Sequence, residues 1–135
     1  MRTILLLVPL TLTFARAQST YDDETGEVTV PGGSFPQLDI VSVTVSASPA
    51  SNQITFKIVL DGDPTAPDWG NYMIGLKSGS GGAASGTGWS GRPISFPSGM
   101  THWIGTWNTG GEIWTFAGSW TRTGNVTPVK DSATK

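Results

Sequence analysis

The sequence predicts an all-β protein: an antiparallel β-sandwich of two sheets, jelly-roll-like, with no significant helix. Three observations carry this. Gly, Ser, Thr and Pro are abundant, whereas strong helix formers are scarce. Short apolar runs alternate with polar residues at period two, and turn residues separate the runs. There is no cysteine, so no disulfide framework or thiolate metal site is available. Cohesion must come from buried aromatic and β-branched side chains, and six tryptophans are on hand.

The formal net charge is -2 and no basic block occurs, which excludes nucleic acid as a partner. Residues 1–17 read as a secretory signal peptide. Arg2 supplies the positive start, residues 4–12 form the apolar run, and Ala15, Arg16 and Ala17 fit a small-x-small cleavage site before Gln18. The run is about half of the roughly 20 residues a membrane span needs, so no span remains after cleavage. The protein is therefore expected outside the cell or on its surface. Residues 18–135 form one expected β-sandwich domain.

Residues 18–36 are polar and turn-rich, with Asp22, Asp23, Glu24 and Glu27 close together. They read as a solvated lead-in, with an oxygen-rich calcium loop as the sharper alternative. Val28 and Val30 suggest a short edge strand. Residues 38–46 form the first clear strand. Val41, Val43 and Val45 share one face, while Leu38 and Ile40 fall on the other parity, which calls for a bulge near Ile40 or burial on both sides. Residues 48–52 turn the chain. Residues 53–60 then alternate most cleanly, with Ile54, Phe56, Ile58 and Leu60 on one face.

Asp61, Asp63 and Asp68 flank Gly and Pro, where aspartate ordinarily serves a turn, although the three could also line a small cation site. Residues 71–77 form the next strand. The Gly/Ser-rich stretch 78–91 reads as a long surface loop. Its Gly86, Gly88 and Gly91 match a dinucleotide fingerprint in spacing alone, because Arg92-Pro93 follows where a helix is required. Residues 92–97 are extended and proline-bounded, as an edge strand would be.

Residues 101–107 and 112–117 form a hairpin around Asn108-Thr109-Gly110-Gly111. Pairing Trp107 with Glu112 sets Gly105 against Trp114 and Trp103 against Phe116. Trp103, Trp107, Trp114 and Phe116 then share one face, and His102, Ile104, Ile113 and Ala117 the other. A last strand starts at Trp120, with a weaker candidate at 126–129. The total is six or seven short strands.

Several of these segments resemble a known group. Asp23-Glu24-Thr25-Gly26-Glu27-Val28 opens the chain, and Pro36-Gln37-Leu38-Asp39-Ile40 follows. Ile54-Thr55-Phe56-Lys57-Ile58 and Asp68-Trp69-Gly70-Asn71-Tyr72-Met73 precede a tryptophan-rich latter half. Together they are similar to carbohydrate-binding family 9-like domains of the glucodextranase C-terminal type, within the DOMON-like jelly rolls. The resemblance implies a secreted two-sheet module appended to larger exported proteins. It also implies sugar binding by aromatic rings, sometimes with structural calcium near acidic turns. Glu27 stands where that group more usually has aspartate. One or two closing strands are expected after Trp120 in the group, so the domain is either truncated or unusually small.

The candidate glycan residues follow from chemistry. A pyranose stacks its C–H face on an indole while its hydroxyls need polar neighbours. Trp69 and Trp89 sit in turn-rich loops and are the first choice, because an exposed loop indole needs a reason. Arg92, Asp68 and Asn108 would bond hydroxyls. Trp107, at the hairpin end, fits either packing or binding, whereas Trp103 and Trp114 read as packing. A calcium ion would draw on Asp23, Glu27, Asp61 or Asp63; no other cofactor is implied. His102, the lone histidine, reads as structural, and no Gly-x-Ser-x-Gly elbow occurs. The expected function is a secreted non-catalytic carbohydrate-binding-like module, its partner a polysaccharide or cell-surface glycan. The alternatives are a structural or adhesion sandwich without a glycan ligand, or the N-terminal fragment of a larger exported hydrolase.

Overall fold

The computed structural model describes residues 17–28, 31–66, 70–85, 94–107 and 109–132. Seven strands follow in chain order: β1 Ala17–Asp22, β2 Ile40–Ser48, β3 Gln53–Leu60, β4 Tyr72–Leu76, β5 His102–Thr106, β6 Gly111–Phe116 and β7 Trp120–Asn125. One 3-10 turn, Pro36–Leu38, is the single helical element among the described residues. The strands form two antiparallel sheets, β1-β2-β3 and β4-β5-β6-β7. The all-β, two-sheet expectation holds. Within each sheet the strands lie in chain order, so both sheets are meanders, whereas a jelly roll passes strands between its sheets. Among the described residues no helix is long and apolar enough to cross a membrane.

In the first sheet, β3 covers the predicted strand residue for residue. Its turn from β2 closes through Ser51 N–H to Ser48 O, with Asn52 in the left-handed region at φ 51°. Asparagine tolerates that conformation well. The bulge expected near Ile40 is present: the register slips between Ile40 and Ser42, which leaves Val41 as the extra residue. Ile40 then pairs with Leu60 and Val43 with Ile58. Residues of opposite parity thus reach the same apolar face.

The edge of this sheet is a correction. Val28 lies outside any strand, and Val30 is outside the described residues. The edge is instead β1, in register from Ala17↔Ala47 to Asp22↔Ser42. Its residues are all exposed, so no apolar alternation marked it. Thr20 and Thr44 share a cross-strand hydroxyl hydrogen bond of 3.0 Å. Of the expected signal segment, residues 1–16 are outside the described residues, and Ala17 already belongs to β1.

In the second sheet, the hairpin register differs from expectation by two residues. Trp103 pairs with Trp114 and Gly105 with Glu112. The loop is still four residues long but runs over 107–110, closed by Trp107 N–H donating to Gly110 O at 2.9 Å. A two-residue slip preserves which side chains share a face, so the face assignment survives. Residues 94–97, expected as an edge strand, and 126–129 carry no strand.

The two sheets meet across a cleft. Ile54, Phe56, Ile58 and Leu60 of β3 face Ile74, Ile104 and Ile113 of the second sheet around a cavity of about 680 Å³. Leu60 is buried at its floor, while Ile54 at the other end of β3 is 61% exposed. Tyr72 ties β4 to the 3-10 turn that precedes β2, donating from its hydroxyl to Gln37 O at 2.7 Å.

Candidate functional site

Trp103 and Trp114 do not face this cleft. The register places Gly75, Trp103, Trp114 and Arg122 in one row across β4, β5, β6 and β7. The neighbouring row is Ile74, Ile104, Ile113 and Gly124. Successive residues point to opposite sides, and the isoleucine row lines the cleft, so the tryptophan row lies on the outer face.

One end of that face is covered by the connection between β4 and β5. Ala83 and Met100 bridge, and Phe96 N–H donates to Ala84 O at 2.7 Å. This brings the Phe96 ring edge-on to Trp103, with centroids 6.1 Å apart and planes at 76°. Trp103 is 0% exposed. A Cβ at Gly75 would lie 2.8 Å from Phe96 Cε1, so the ring occupies the space that glycine leaves open. Gly82 takes φ +97°, and a Cβ there would stand 2.6 Å from Met100 O. Only glycine lets those backbones approach so closely. Trp120 helps to fasten this flap, donating from Nε1 to Ser85 O at 3.2 Å and packing edge-on against Phe116 at 5.4 Å. The lid on the aromatic face is thus the segment around Phe96, and residues 82–85 of the stretch read from sequence as a plain surface loop hold it there.

The other end of the outer face is open and carries a polar network. Trp114 donates from Nε1 to Glu112 Oε2 at 3.1 Å. Glu112 Oε1 accepts from Arg122 Nε, also at 3.1 Å. Arg122 Nη2 donates to Asn125 Oδ1. Arg122 and Asn125 are three apart in β7 and should point to opposite sides. A register slip between Ile113 and Trp114 leaves Thr123 unpaired in the ladder, so Arg122 sits opposite Trp114 and Asn125 opposite Glu112. The bulge builds the network. Arg122 is 49% and Glu112 21% exposed at the side chain, and Trp114 is half-buried.

This arrangement suits recognition of hydroxyls beside an apolar ring. Both Glu112 oxygens are already used, which fixes the guanidinium and the indole in place. Arg122 and the Asn125 amide retain further donor capacity. Glycoside hydrolysis needs two carboxyl groups roughly 5–9.5 Å apart, and Glu112 is the one carboxylate of this network.

Of the residues singled out from sequence, Trp69, Asp68, Trp89, Arg92 and Asn108 lie outside the described residues. Trp107 is described: it is half-buried, its indole against the hairpin loop, where a Gly110 Cβ would stand 3.4 Å from Nε1. Trp103 packs as expected, but beneath the flap rather than between sheets. His102 holds a corner, its Nδ1 within 3.0 Å of Thr101 Oγ1 and 3.4 Å of Ser78 Oγ. Glu112, Arg122 and Asn125 were not singled out, because only the bulge at Thr123 unites them and no residue pattern announces it.

Among the described residues no group of three or more His, Cys, Asp or Glu side chains could hold an ion. Asp63 Oδ1 accepts from Thr65 N–H at 2.8 Å and from Thr65 Oγ1 at 2.6 Å, as a turn former does. Asp23 Oδ1 accepts from Glu24 N–H at 3.2 Å. Asp39, 3% exposed, accepts from Gly26 N–H at Oδ2, 2.6 Å away, and so pins the acidic loop to β2. The chain matches no protein-family model, no curated protein sequence and no solved structure.

Proposed function

We propose that this chain is a secreted, non-catalytic carbohydrate-binding module. The observation that carries the reading is the open network of Trp114, Glu112, Arg122 and Asn125 on the outer face of β6 and β7. A sugar ring would lie against the Trp114 indole while Arg122 and Asn125 bond its hydroxyls. The family resemblance supports the same ligand class, as does the signal-like segment for export. Trp69, Trp89, Arg92, Asp68, Trp107 and Asn108 remain proposed contacts on the loops. The test is affinity electrophoresis through gels containing a panel of polysaccharides. Retardation that Trp114→Ala and Arg122→Ala reduce supports the site, and Trp69→Ala and Trp89→Ala measure the loop contribution. Unchanged mobility in every glycan gel sinks the reading.

A second reading is a structural or adhesion domain of the same fold. It is favoured by the use of Trp103 and Trp120 in holding the flap rather than in presenting a surface. Acrylamide quenching separates the two, because a pure packing role predicts that Trp114 and Trp107 are shielded as well.

A further inference from the structure

We infer that Gln18, as the first residue of the exported chain, closes on itself to a pyroglutamyl lactam that caps β1. This rests on the export reading, in which the leader is cut after Ala17, and is independent of the glycan reading. Three features of β1 carry it. Gln18 stands one residue into the strand and pairs with Ser46, so removal of Ala17 makes it the terminal rung of the first sheet. Its row continues through Ser46 to Thr55, whereas the adjacent row runs through Val45 to Phe56 of the cleft. Gln18 therefore points to the outer, solvent side of the sheet. There it is exposed, and its side-chain amide makes no hydrogen bond among the described residues. Nothing holds that amide away from an amino group on its own Cα. Its neighbours across the ladder, Ser46 and Thr55, are small and leave room for the ring.

The closure balances without a partner molecule. The lone pair of the α-amino nitrogen adds to the side-chain carbonyl carbon Cδ. The tetrahedral adduct then expels Nε2 as ammonia, which carries off one proton of the former amine. One Nα–Cδ bond forms, one Cδ–Nε2 bond breaks, and nothing is oxidised or reduced. The lactam is uncharged, whereas a free amino terminus, with a pKa of about 7.7–8.0, is largely protonated at pH 7. It keeps one N–H, so the terminal rung retains its donor. The consequence lies in what β1 covers. Chain termini are where trimming begins, and every residue of β1 is exposed. Stepwise loss of β1 would strip β2, Ile40–Ser48, of its neighbour and leave its backbone groups as a new open edge beside Val43 and Val45. Such an edge is a template for pairing with other chains. An aminopeptidase needs a free amino group, so the lactam protects the sheet from this loss.

The experiment expresses the full chain, Met1 to Lys135, in a secreting host and examines the recovered protein by intact mass and Edman degradation. The expected product begins at Gln18, is lighter by one ammonia than the open form, and gives no residue in the first Edman cycle. Pyroglutamyl aminopeptidase should restore the signal, with Ser19 read first. In Gln18→Asn the same closure would need a four-membered ring, so this variant should read normally from the first cycle, with an unchanged circular dichroism spectrum. Digestion with a broad aminopeptidase should leave the wild type at full length and shorten Gln18→Asn into β1. A wild-type chain that starts at Gln18 with full mass and a readable first cycle overturns the inference and leaves export standing. A recovered chain that retains residues 1–17, or that is cut elsewhere, overturns the export reading and the inference with it. Equal trimming of the two proteins overturns the protective role.

Discussion

Gly75 and Trp103 stand opposite each other on β4 and β5, and the Phe96 ring fills the space that Gly75 leaves above the sheet. The pair explains how an outward-facing indole becomes fully buried. Gly75→Ala must displace Phe96 or Met100, whose Cγ would be 3.2 Å from the new methyl. Overpacking of this kind costs about 1–3 kcal/mol. The expected result is a lower melting temperature and a red-shifted tryptophan emission as Trp103 meets water. Phe96→Ala should give the same shift, with Gly75 untouched. Blue emission retained in both variants would contradict the lid.

The Glu112–Arg122 pair should matter little for stability. It is half in solvent at Arg122, and exposed ion pairs are worth roughly 0–1 kcal/mol. Glu112→Gln keeps an acceptor for the Trp114 indole and releases the guanidinium. Its melting point should move little, while glycan retardation falls as Arg122 loses its fixed position. A large destabilisation with unchanged glycan mobility would show that the network is structural alone.

Tyr72 gives an alkaline signature. Burial raises its pKa above the ordinary tyrosine value of 10.0. The folded chain therefore holds the phenol proton more tightly than the unfolded chain does. Its contribution is complete below about pH 10, the unfolded value, and declines as pH rises toward the folded one. Tyr72→Phe removes the hydrogen bond to Gln37 O, costing about 1 kcal/mol at neutral pH. It should also flatten the loss of stability above pH 10. Denaturant midpoints measured across the alkaline range test both points, and parallel slopes in the two proteins would count against the assignment.

Asp39 anchors the acidic loop through a carboxylate of which Oδ1 has no hydrogen-bond partner among the described residues. Asp39→Ala leaves the Gly26 N–H without its acceptor and should cost about 1–3 kcal/mol. Asp39→Asn keeps an acceptor for Gly26 and removes a buried charge, so it should cost less. Urea midpoints order the variants, and the reverse order would refute the account. Chelation by EDTA should leave the wild-type midpoint where it is, since no group of three carboxylates gathers among the described residues.

The first sheet was largely legible because one face of β3 alternates without interruption, and a parity break at Ile40 can be met only by a bulge or two-sided burial. The hairpin was legible in its faces but not in its register. Asn108-Thr109-Gly110-Gly111 and Trp107-Asn108-Thr109-Gly110 both accept a four-residue loop, and the choice between them shifts every pair by two. Phe96 was hidden because a lid has no periodicity: its place is set by the Ala84 carbonyl, the Ala83–Met100 bridge and the Trp103 ring, not by alternation along its own segment. β1 was hidden for the opposite reason, since a strand exposed along its whole length has no apolar side to betray it. The network of Glu112, Arg122 and Asn125 depends on Thr123 dropping out of the ladder, and a backbone slip leaves no mark in residue type.

Each sheet thus contains one residue that the pairing skips, Val41 in β2 and Thr123 in β7. Strands ordinarily forbid changes of length, because adding or removing one residue inverts everything beyond it. Here the ladder already closes without these two. Deleting Thr123 joins Arg122 directly to Gly124 and keeps every ladder pair, losing only the Thr123 hydroxyl bonds to Thr115 Oγ1 and Ile113 O; deleting Val41 likewise keeps the pairs of Ile40 and Ser42 and loses the Asp23 N–H bond to Val41 O. The two positions are places inside the sheets where the gene can shorten by a codon and leave both faces as they are.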